Sequence, residues 1–297
     1  MEVTMSTYKI ISDSSCDLPE SYRKKLDIGL VPYYVTLDNK TYLKEIVELQ
    51  PREFYEKIIT EQVFPKTSLP PIQDYIDVFE PYLKQGMDII CMCLTSKFSG
   101  SYQSAINAKN ILLETYPDSR IEVFDTILAT AGQGLIVYEA ARMKAAGYSL
   151  DQLIEALNRL KDTAKINFTV DSLEHLQKGG RIGKASALAG MILNIKPIIV
   201  LKNGELMPHS KVRGHKKAIK TILDMTVDEI GAEKEKYHVC LINSYRDEDA
   251  AQLQKTIVED YGFSILEPIF DIGVTIGTHA GPTAIGICYI KKYEYLD

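Results

Sequence analysis

Apolar and polar positions follow one another in short blocks along the first half of the chain. Residues 89–94 form a continuous apolar run, which is typical of a strand buried on both faces. The run ends in a serine- and glycine-rich segment at 96–101, and apolar residues then recur at helical spacing from Ala105. Similar patterns predict further elements: strands at 8–11 and 121–125, an extended segment at 30–37, and helices at 51–60, 71–86, 135–146 and 149–160. Strands and helices that alternate at this spacing predict a mostly parallel sheet with helices on both faces.

The second half has a different pattern. It predicts strands at 165–170 and 239–244, helices at 173–177, 183–192, 218–230 and 249–261, a hairpin over 197–212, and two short closing strands. The hairpin turn is Asn203-Gly204, a pair that favours a tight two-residue loop. We therefore expect an α/β, Rossmann-like domain at residues 1–165 and an α+β domain at 166–297, with a ligand between them.

Polar loops follow three predicted strands, at 12–17, 67–69 and 96–101. In parallel sheets ligands bind at the carboxyl ends of the strands, so these loops are candidates for one site. Ser99 and Gly100 precede a helix, where unpaired backbone N–H groups attract a carboxylate or a phosphate. Ordinary serine capping of that helix is the alternative. In the first loop, Asp17 or Ser15 is expected to cap a helix that has Pro19 at its first position.

Three further positions are candidates for binding. Thr67 and Ser68 offer hydroxyl groups on a loop stiffened by prolines, although an ordinary turn would use the same residues. Arg181 stands among glycines and matches a carboxylate or a phosphate, although it could instead form a salt bridge between domains. His279 lies between glycines and a proline, where the backbone can approach a ligand closely; a purely structural histidine is the alternative.

Ser99 and His279 together also suggest a serine hydrolase, with serine as nucleophile and histidine as base. However, Ser99 lies in Lys-Phe-Ser-Gly-Ser, which is not a Gly-x-Ser-x-Gly elbow. No P-loop or dinucleotide-binding fingerprint occurs. Asp13, a single acid after the first strand, is weak evidence for Mg²⁺, and the histidines and cysteines lack ligand spacing. We therefore predict no metal and no cofactor.

Composition narrows the class of protein. The chain has 297 residues and a net charge of −6, which argues against a nucleic-acid-binding protein. No apolar run approaches the length of a membrane span, and the N-terminus has no signal-peptide core, so we do not expect an integral membrane protein. The five cysteines show no paired framework, and most lie in apolar runs. Buried thiols in a reducing cytoplasm are the expectation.

Five short motifs, in this order, resemble the DegV family of bacterial fatty-acid-binding proteins, which includes the fatty acid kinase B subunits. They are Ser12-Asp-Ser-Ser-Cys-Asp-Leu-Pro, Lys66-Thr-Ser-Leu-Pro, Ser99-Gly-Ser-Tyr-Gln-Ser, Lys178-Gly-Gly-Arg-Ile and His279-Ala-Gly-Pro. The resemblance implies a long-chain, palmitate-like fatty acid in a tunnel between two domains. It implies that Thr67 and Ser99, with Gly100 and nearby His279, hold the carboxylate, with Ser14 and Ser68 as secondary candidates.

The resemblance also implies a partner. A separate, ATP-using kinase subunit would phosphorylate the bound acid, with Arg181 supporting that step, so the chain itself would be a carrier and not an enzyme. Leu69 and Thr283 depart from the residues usual in the family, Gln and Gly. The hydrolase of acyl esters remains the alternative, and a small phosphometabolite, as in dihydroxyacetone-type kinases, is a third possibility.

Overall fold

The computed structural model describes residues 8–188 and 194–296. Its first sheet has four parallel strands in the order β2-β1-β6-β7. They are β1 (Tyr8–Asp13), β2 (Gly29–Val31), β6 (Asp88–Cys93) and β7 (Ile121–Asp125). The two central strands are almost fully buried along their length, which is what the continuous apolar runs predicted.

Helices cover both faces of this sheet, as the alternation predicted. They are α1 (Glu20–Lys25), α3 (Ile72–Leu83), α4 (Ser101–Thr115), α5 (Thr130–Ala145) and α6 (Leu150–Leu160). A further helix of this half, α2 (Pro51–Thr60), shares a separate core with Val35 and Val274. Ile11 and Ile89 share a core with α3 and α4, whereas Ile10 and Ile90 on the opposite face share one with α5 and α6. This division follows from the two-residue period of a strand.

A small antiparallel sheet, not expected from the sequence, lies beside the first. It contains β3 (Tyr34–Thr36), β4 (Leu43–Lys44) and β5 (Lys66–Ser68) in the order β4-β3-β5. The proline-rich loop around Thr67 is therefore a strand, and Thr67 is paired with Val35. Backbone pairing holds this hydroxyl more firmly than a free loop would.

The second sheet has six strands within the described residues, in the order β10-β9-β8-β13-β11-β12. They are β8 (Lys165–Thr169), β9 (Ile195–Lys202), β10 (Glu205–Arg213), β11 (Tyr237–Asn243), β12 (Phe270–Asp271) and β13 (Ile285–Lys291). The Asn203-Gly204 hairpin is confirmed, and both residues have positive φ, as such a turn requires. The division into domains at residue 165 stays a prediction; the second sheet begins at Lys165.

Among the residues that the structure describes, four helices accompany this sheet: α7 (Glu174–Lys178), α8 (His215–Ile230), α9 (Asp247–Lys255) and α10 (Val274–Ala280). One face of the sheet packs on α8 and α9. The other face, through Ile166 and Ile242, joins the core that contains α5. Thus α5 lies between the two sheets, and a single core runs from one sheet to the other.

Four local predictions were wrong or incomplete. Neither Asp17 nor Ser15 caps α1, because Pro19 takes the N-cap position and makes no side-chain cap. Helix α5 begins at Thr130 instead of residue 135, and α10 was not predicted. The predicted helix over 183–192 is a 3₁₀ helix from Gly183 to Leu188, and its remainder lies outside the described residues. Among the described residues, no helix has the length and hydropathy of a membrane span.

Gly134 provides a test of the packing between α5 and the loop after β1. A Cβ at this position would lie 2.5 Å from the carbonyl oxygen of Cys16, so Gly134→Ala must displace backbone. We expect a loss of about 2 kcal/mol in the free energy of unfolding, measured by urea denaturation. Ala145→Ser, an exposed change on the same helix, is the control. Equal stability of the two variants would contradict this account of the packing.

Candidate functional site

A cavity of about 260 Å³ lies between the two sheets, and its wall comes from both. Most of the lining is apolar. Ile166, Phe168 and Ile242 contribute from the second sheet, and Leu94 contributes from the end of β6. The polar residues Thr67, Ser68, Ser99, Arg181 and His279 also line it. The structure therefore brings every primary candidate from the sequence to one cavity, together with Gly100.

Ser99 is held as a hydrogen-bond donor. Its hydroxyl oxygen accepts a hydrogen bond from the Tyr33 hydroxyl at 2.8 Å and from the Ser101 backbone N–H at 3.1 Å. Since a hydroxyl oxygen has two lone pairs and one proton, these bonds leave the proton of Ser99 to be donated. Gly100, and not a serine, is the N-cap of α4, so the alternative of ordinary serine capping is not what the structure shows.

Thr67 has a comparable arrangement with His279. The Nε2 atom of His279 lies 2.9 Å from the Thr67 hydroxyl oxygen, whereas its Nδ1 is buried with no hydrogen-bond partner among the described residues. A proton on Nε2 is therefore donated to Thr67, and a proton on Nδ1 would be unpaired. In this tautomer the hydroxyl proton of Thr67 is left for a ligand.

His279 is neutral at physiological pH. Burial, followed by the charges of Arg181 and His175, lowers the pKa of His279 to about 4. Its ring lies against Gly179, where a Cβ would lie 2.1 Å from Nδ1. The glycine pair that ends α7 thus gives the histidine ring the space it occupies.

Arg181 lies exposed at the rim of the cavity. Its Nε donates to the carbonyl oxygen of Phe98 at 3.1 Å, and its Nη1 donates to that of Gly179 at 2.7 Å. These bonds connect the loop after β6 with the end of α7. The alternative of a structural connection is therefore compatible with a ligand role for this arginine.

Ser14 and Thr283 do not line the cavity. Ser14 is buried behind the wall, where its hydroxyl donates to Glu45 at 2.6 Å and accepts from the Tyr33 N–H at 2.9 Å. Thr283 accepts a hydrogen bond from the Asp171 N–H at 3.0 Å. Leu69, the other departure from the family pattern, does line the cavity, and its side chain lies over Gly100.

The structure offers no support for the hydrolase or for Mg²⁺ at Asp13. Ser99 is bonded to Tyr33 and His279 to Thr67, so the two do not form a nucleophile–base pair. The Asp13 carboxylate is occupied by four donors, from Ser15, Leu94, Ser101 and Gln133. The described part of the chain holds no cluster of three metal-ligating side chains.

Tyr33, Thr130 and Thr275 line the cavity but were not identified from the sequence. Tyr33 lies in a segment that was recognised only as extended, and no local pattern distinguishes it from a core tyrosine. The two threonines come from α5 and α10, whose first turns were not predicted. The roles of these two threonines depend on contacts with residues more than a hundred positions away in the chain.

The pKa of His279 gives a measurable pH dependence. An unfolded histidine binds a proton below about 6.5, whereas the folded one does so only below about 4. Between these values the unfolded state binds more protons, so the free energy of unfolding should fall as the pH drops from 6.5 to 4. NMR titration of the ring should show a midpoint near 4, with His279→Gln identifying the resonance. A midpoint near 6.5 would contradict the burial argument.

The arrangement can now be compared with known proteins. The chain matches the family model described as "Uncharacterised protein, DegV family" over residues 7–292. It is 37% identical to a DegV domain-containing protein of Clostridium perfringens over 289 residues, which cover 96% of this chain and 98% of the relative.

Comparison with solved structures agrees with the family match. A stearic-acid-binding protein of Eubacterium ventriosum superposes with a TM-score of 0.92 at 38% identity, covering 98% of this chain and 100% of that one. DegV of Bacillus subtilis, a fatty-acid-binding protein, gives a TM-score of 0.85 at 30% identity, covering 97% and 100%. The mixed α/β architecture and the match over nearly the whole chain agree with the motifs, and the chain belongs to the DegV family.

Proposed function

We propose that this protein binds a long-chain, palmitate-like fatty acid in the cavity between its sheets, with the carboxylate at Thr67 and Ser99. The observation that carries the proposal is a mostly apolar cavity lined by two hydroxyl groups whose protons are free to be donated. The related structures from E. ventriosum and B. subtilis are of fatty-acid-binding proteins.

The acyl chain supplies most of the affinity. Burying about 15 methylene groups at ~0.8 kcal/mol each gives roughly 12 kcal/mol, part of which is offset by the cost of association and ordering. The carboxylate meets neutral donors, because His279 is uncharged. Hydrogen bonds of this kind contribute about 0.5–3 kcal/mol each, so they mainly orient the ligand.

We further propose that the protein is a carrier without catalytic activity of its own, in the cytoplasm, that presents the carboxyl group to an ATP-using kinase subunit. Arg181 is the residue proposed to support phosphoryl transfer, since it lies at the rim and a guanidinium can pair with phosphate oxygens. Five buried cysteines without disulfides support a reducing compartment. The bound fatty acid is the only small molecule that this function requires.

The direct experiment is mass spectrometry of the protein as purified, under native and then denaturing conditions. We expect a long-chain fatty acid to be released on denaturation, and fluorescence titration of delipidated protein to show that it binds again. A small phosphorylated metabolite in its place, or no ligand and no binding, would overturn the proposal. Turnover of a chromogenic acyl ester above background would overturn the carrier role.

Filling the acyl cavity should abolish binding. Ala284→Leu adds three carbon atoms to the wall, and Ala129→Leu does so from the opposite side, in case one variant folds poorly. Either folded variant should lose palmitate retention by at least tenfold, because the acyl chain carries most of the affinity. Circular dichroism checks the fold, and exposed Ala146→Leu is the control. Normal palmitate binding by both folded variants would show that the acyl chain does not lie in this cavity.

Removing a head-group donor should have a smaller effect. Thr67→Val keeps the shape of the side chain but removes the hydroxyl, and we expect affinity for palmitate to fall about tenfold. Thr115→Val, the same change at an exposed position at the far end of α4, should bind as the wild type does. The measurement is the dissociation constant of each variant, and equal values for the two variants would exclude Thr67 from the carboxylate site.

A further inference from the structure

Two carboxyl groups, those of the fully buried Glu45 and the half-buried Asp17, lie behind the polar wall of the cavity. We infer that Glu45 is a positioning residue for the head-group donors, and that Asp17 holds the single proton of the pair. The inference rests on the proposed fatty-acid site and adds to it residues that do not touch the ligand. Neither carboxyl group lines the cavity, but each contacts a threonine that does.

Glu45 is surrounded by donors. One carboxylate oxygen accepts from the Thr275 backbone N–H at 2.8 Å, and the other accepts from the hydroxyls of Thr275, at 2.7 Å, and Ser14, at 2.6 Å. The side chain is fully buried, and no lysine or arginine among the described residues pairs with it. Three donors to one buried carboxylate stabilise its ionised form.

Asp17 is surrounded differently. One of its oxygens accepts from the Thr130 hydroxyl at 2.6 Å, whereas Oδ1 is buried without a partner. A Cβ on Gly273 would lie 2.3 Å from this Oδ1 and 2.6 Å from Glu45 Oε1, so both oxygens face the same point. A carboxyl group with one donor, beside a carboxylate with three, is the one that keeps the proton.

The other groups that face the pair do not favour a second charge. They are Asp13 of β1, Asp271 of β12, the Cys16 thiol and the Tyr55 hydroxyl of α2. Burial, and then the charge of Glu45, raises the pKa of Asp17 well above its ordinary value. Burial also raises the pKa of Glu45, whereas the hydrogen bonds from Ser14 and Thr275 lower it.

Glu45 reaches the head-group site through α10. Thr275 and His279 are four residues apart on this helix and therefore lie on one face. Glu45 follows β4 of the small antiparallel sheet and fixes the start of α10 by accepting the Thr275 N–H. His279, one turn later on the same helix, bonds to Thr67. Loosening the start of the helix should move the imidazole away from the threonine that it orients.

The test compares Glu45→Gln with Asp17→Asn, and with exposed Glu48→Gln as the matched control. The glutamine amide would place N–H groups toward the Ser14 and Thr275 hydroxyls, so we expect palmitate affinity to fall about tenfold. Asparagine imitates a protonated Asp17, so Asp17→Asn should bind within about twofold of the wild type. NMR titration of His279 adds a readout: Glu45→Gln should raise its midpoint from about 4.

A second measurement needs no ligand. Because folded Asp17 keeps its proton to a higher pH than unfolded Asp17, the wild-type free energy of unfolding should decline with rising pH relative to Asp17→Asn. Parallel pH profiles of the two proteins would refute the placement of the proton. Unchanged palmitate affinity and an unchanged His279 midpoint in Glu45→Gln would refute the positioning role. Failure of the wild type to bind any fatty acid would refute the proposed function, and the proton placement would still be decided by the pH profiles.

Discussion

The polar side of the cavity depends on one constraint: the buried Asp13 carboxylate at the end of β1 must be surrounded by hydrogen-bond donors. Asp13 is fully buried, and an unpaired charge there would cost several kcal/mol. Its donors come from the end of β6, the start of α4 and the first turns of α5, through Leu94, Ser101 and Gln133. Satisfying one side chain therefore fixes three elements relative to β1.

The same constraint sets the chemistry of the head-group site. Ser101, whose hydroxyl donates to Asp13, also donates its backbone N–H to Ser99. Glu45 performs the corresponding function for α10 and thereby for His279. The residues that would touch a carboxylate are thus held by residues that would not. Because the hydroxyl oxygens of Ser99 and Thr67 already accept hydrogen bonds inside the protein, both residues present their protons to the cavity.

The position of the apolar part of the cavity follows from the packing of the two sheets and α5. Helix α5 joins a core that runs from the first sheet to the second, and the cavity lies where loops after β6 and β5 approach the second sheet. A mostly apolar cavity that is also lined by hydroxyl donors suits an amphipathic ligand, whose tail gives affinity and whose head group gives direction. The solved relatives that bind fatty acids share this architecture over nearly the whole chain.

The sequence by itself determined much of this protein. Sequence patterns predicted strands at 89–94 and 121–125 and the Asn203-Gly204 hairpin, because periodicity and turn chemistry are local properties. The alternation of elements predicted the fold class, and the five motifs predicted the family. The Ser149-Leu-Asp-Gln pattern that begins the helix predicted at 149–160 forms a capping box, which is likewise a local feature.

The tertiary structure decided the rest. That Thr67 belongs to a strand, that Tyr33 bonds to Ser99, and that Ser14 serves Glu45 instead of the cavity follow from contacts between residues distant in the chain. Helix α10 was missed because its seven residues include a glycine and four β-branched side chains, which have low helix propensity, and donors such as the Thr275 N–H are satisfied by Glu45, 230 positions away. Burial and hydrogen-bond pairing are properties of the folded chain, so no local pattern could assign them.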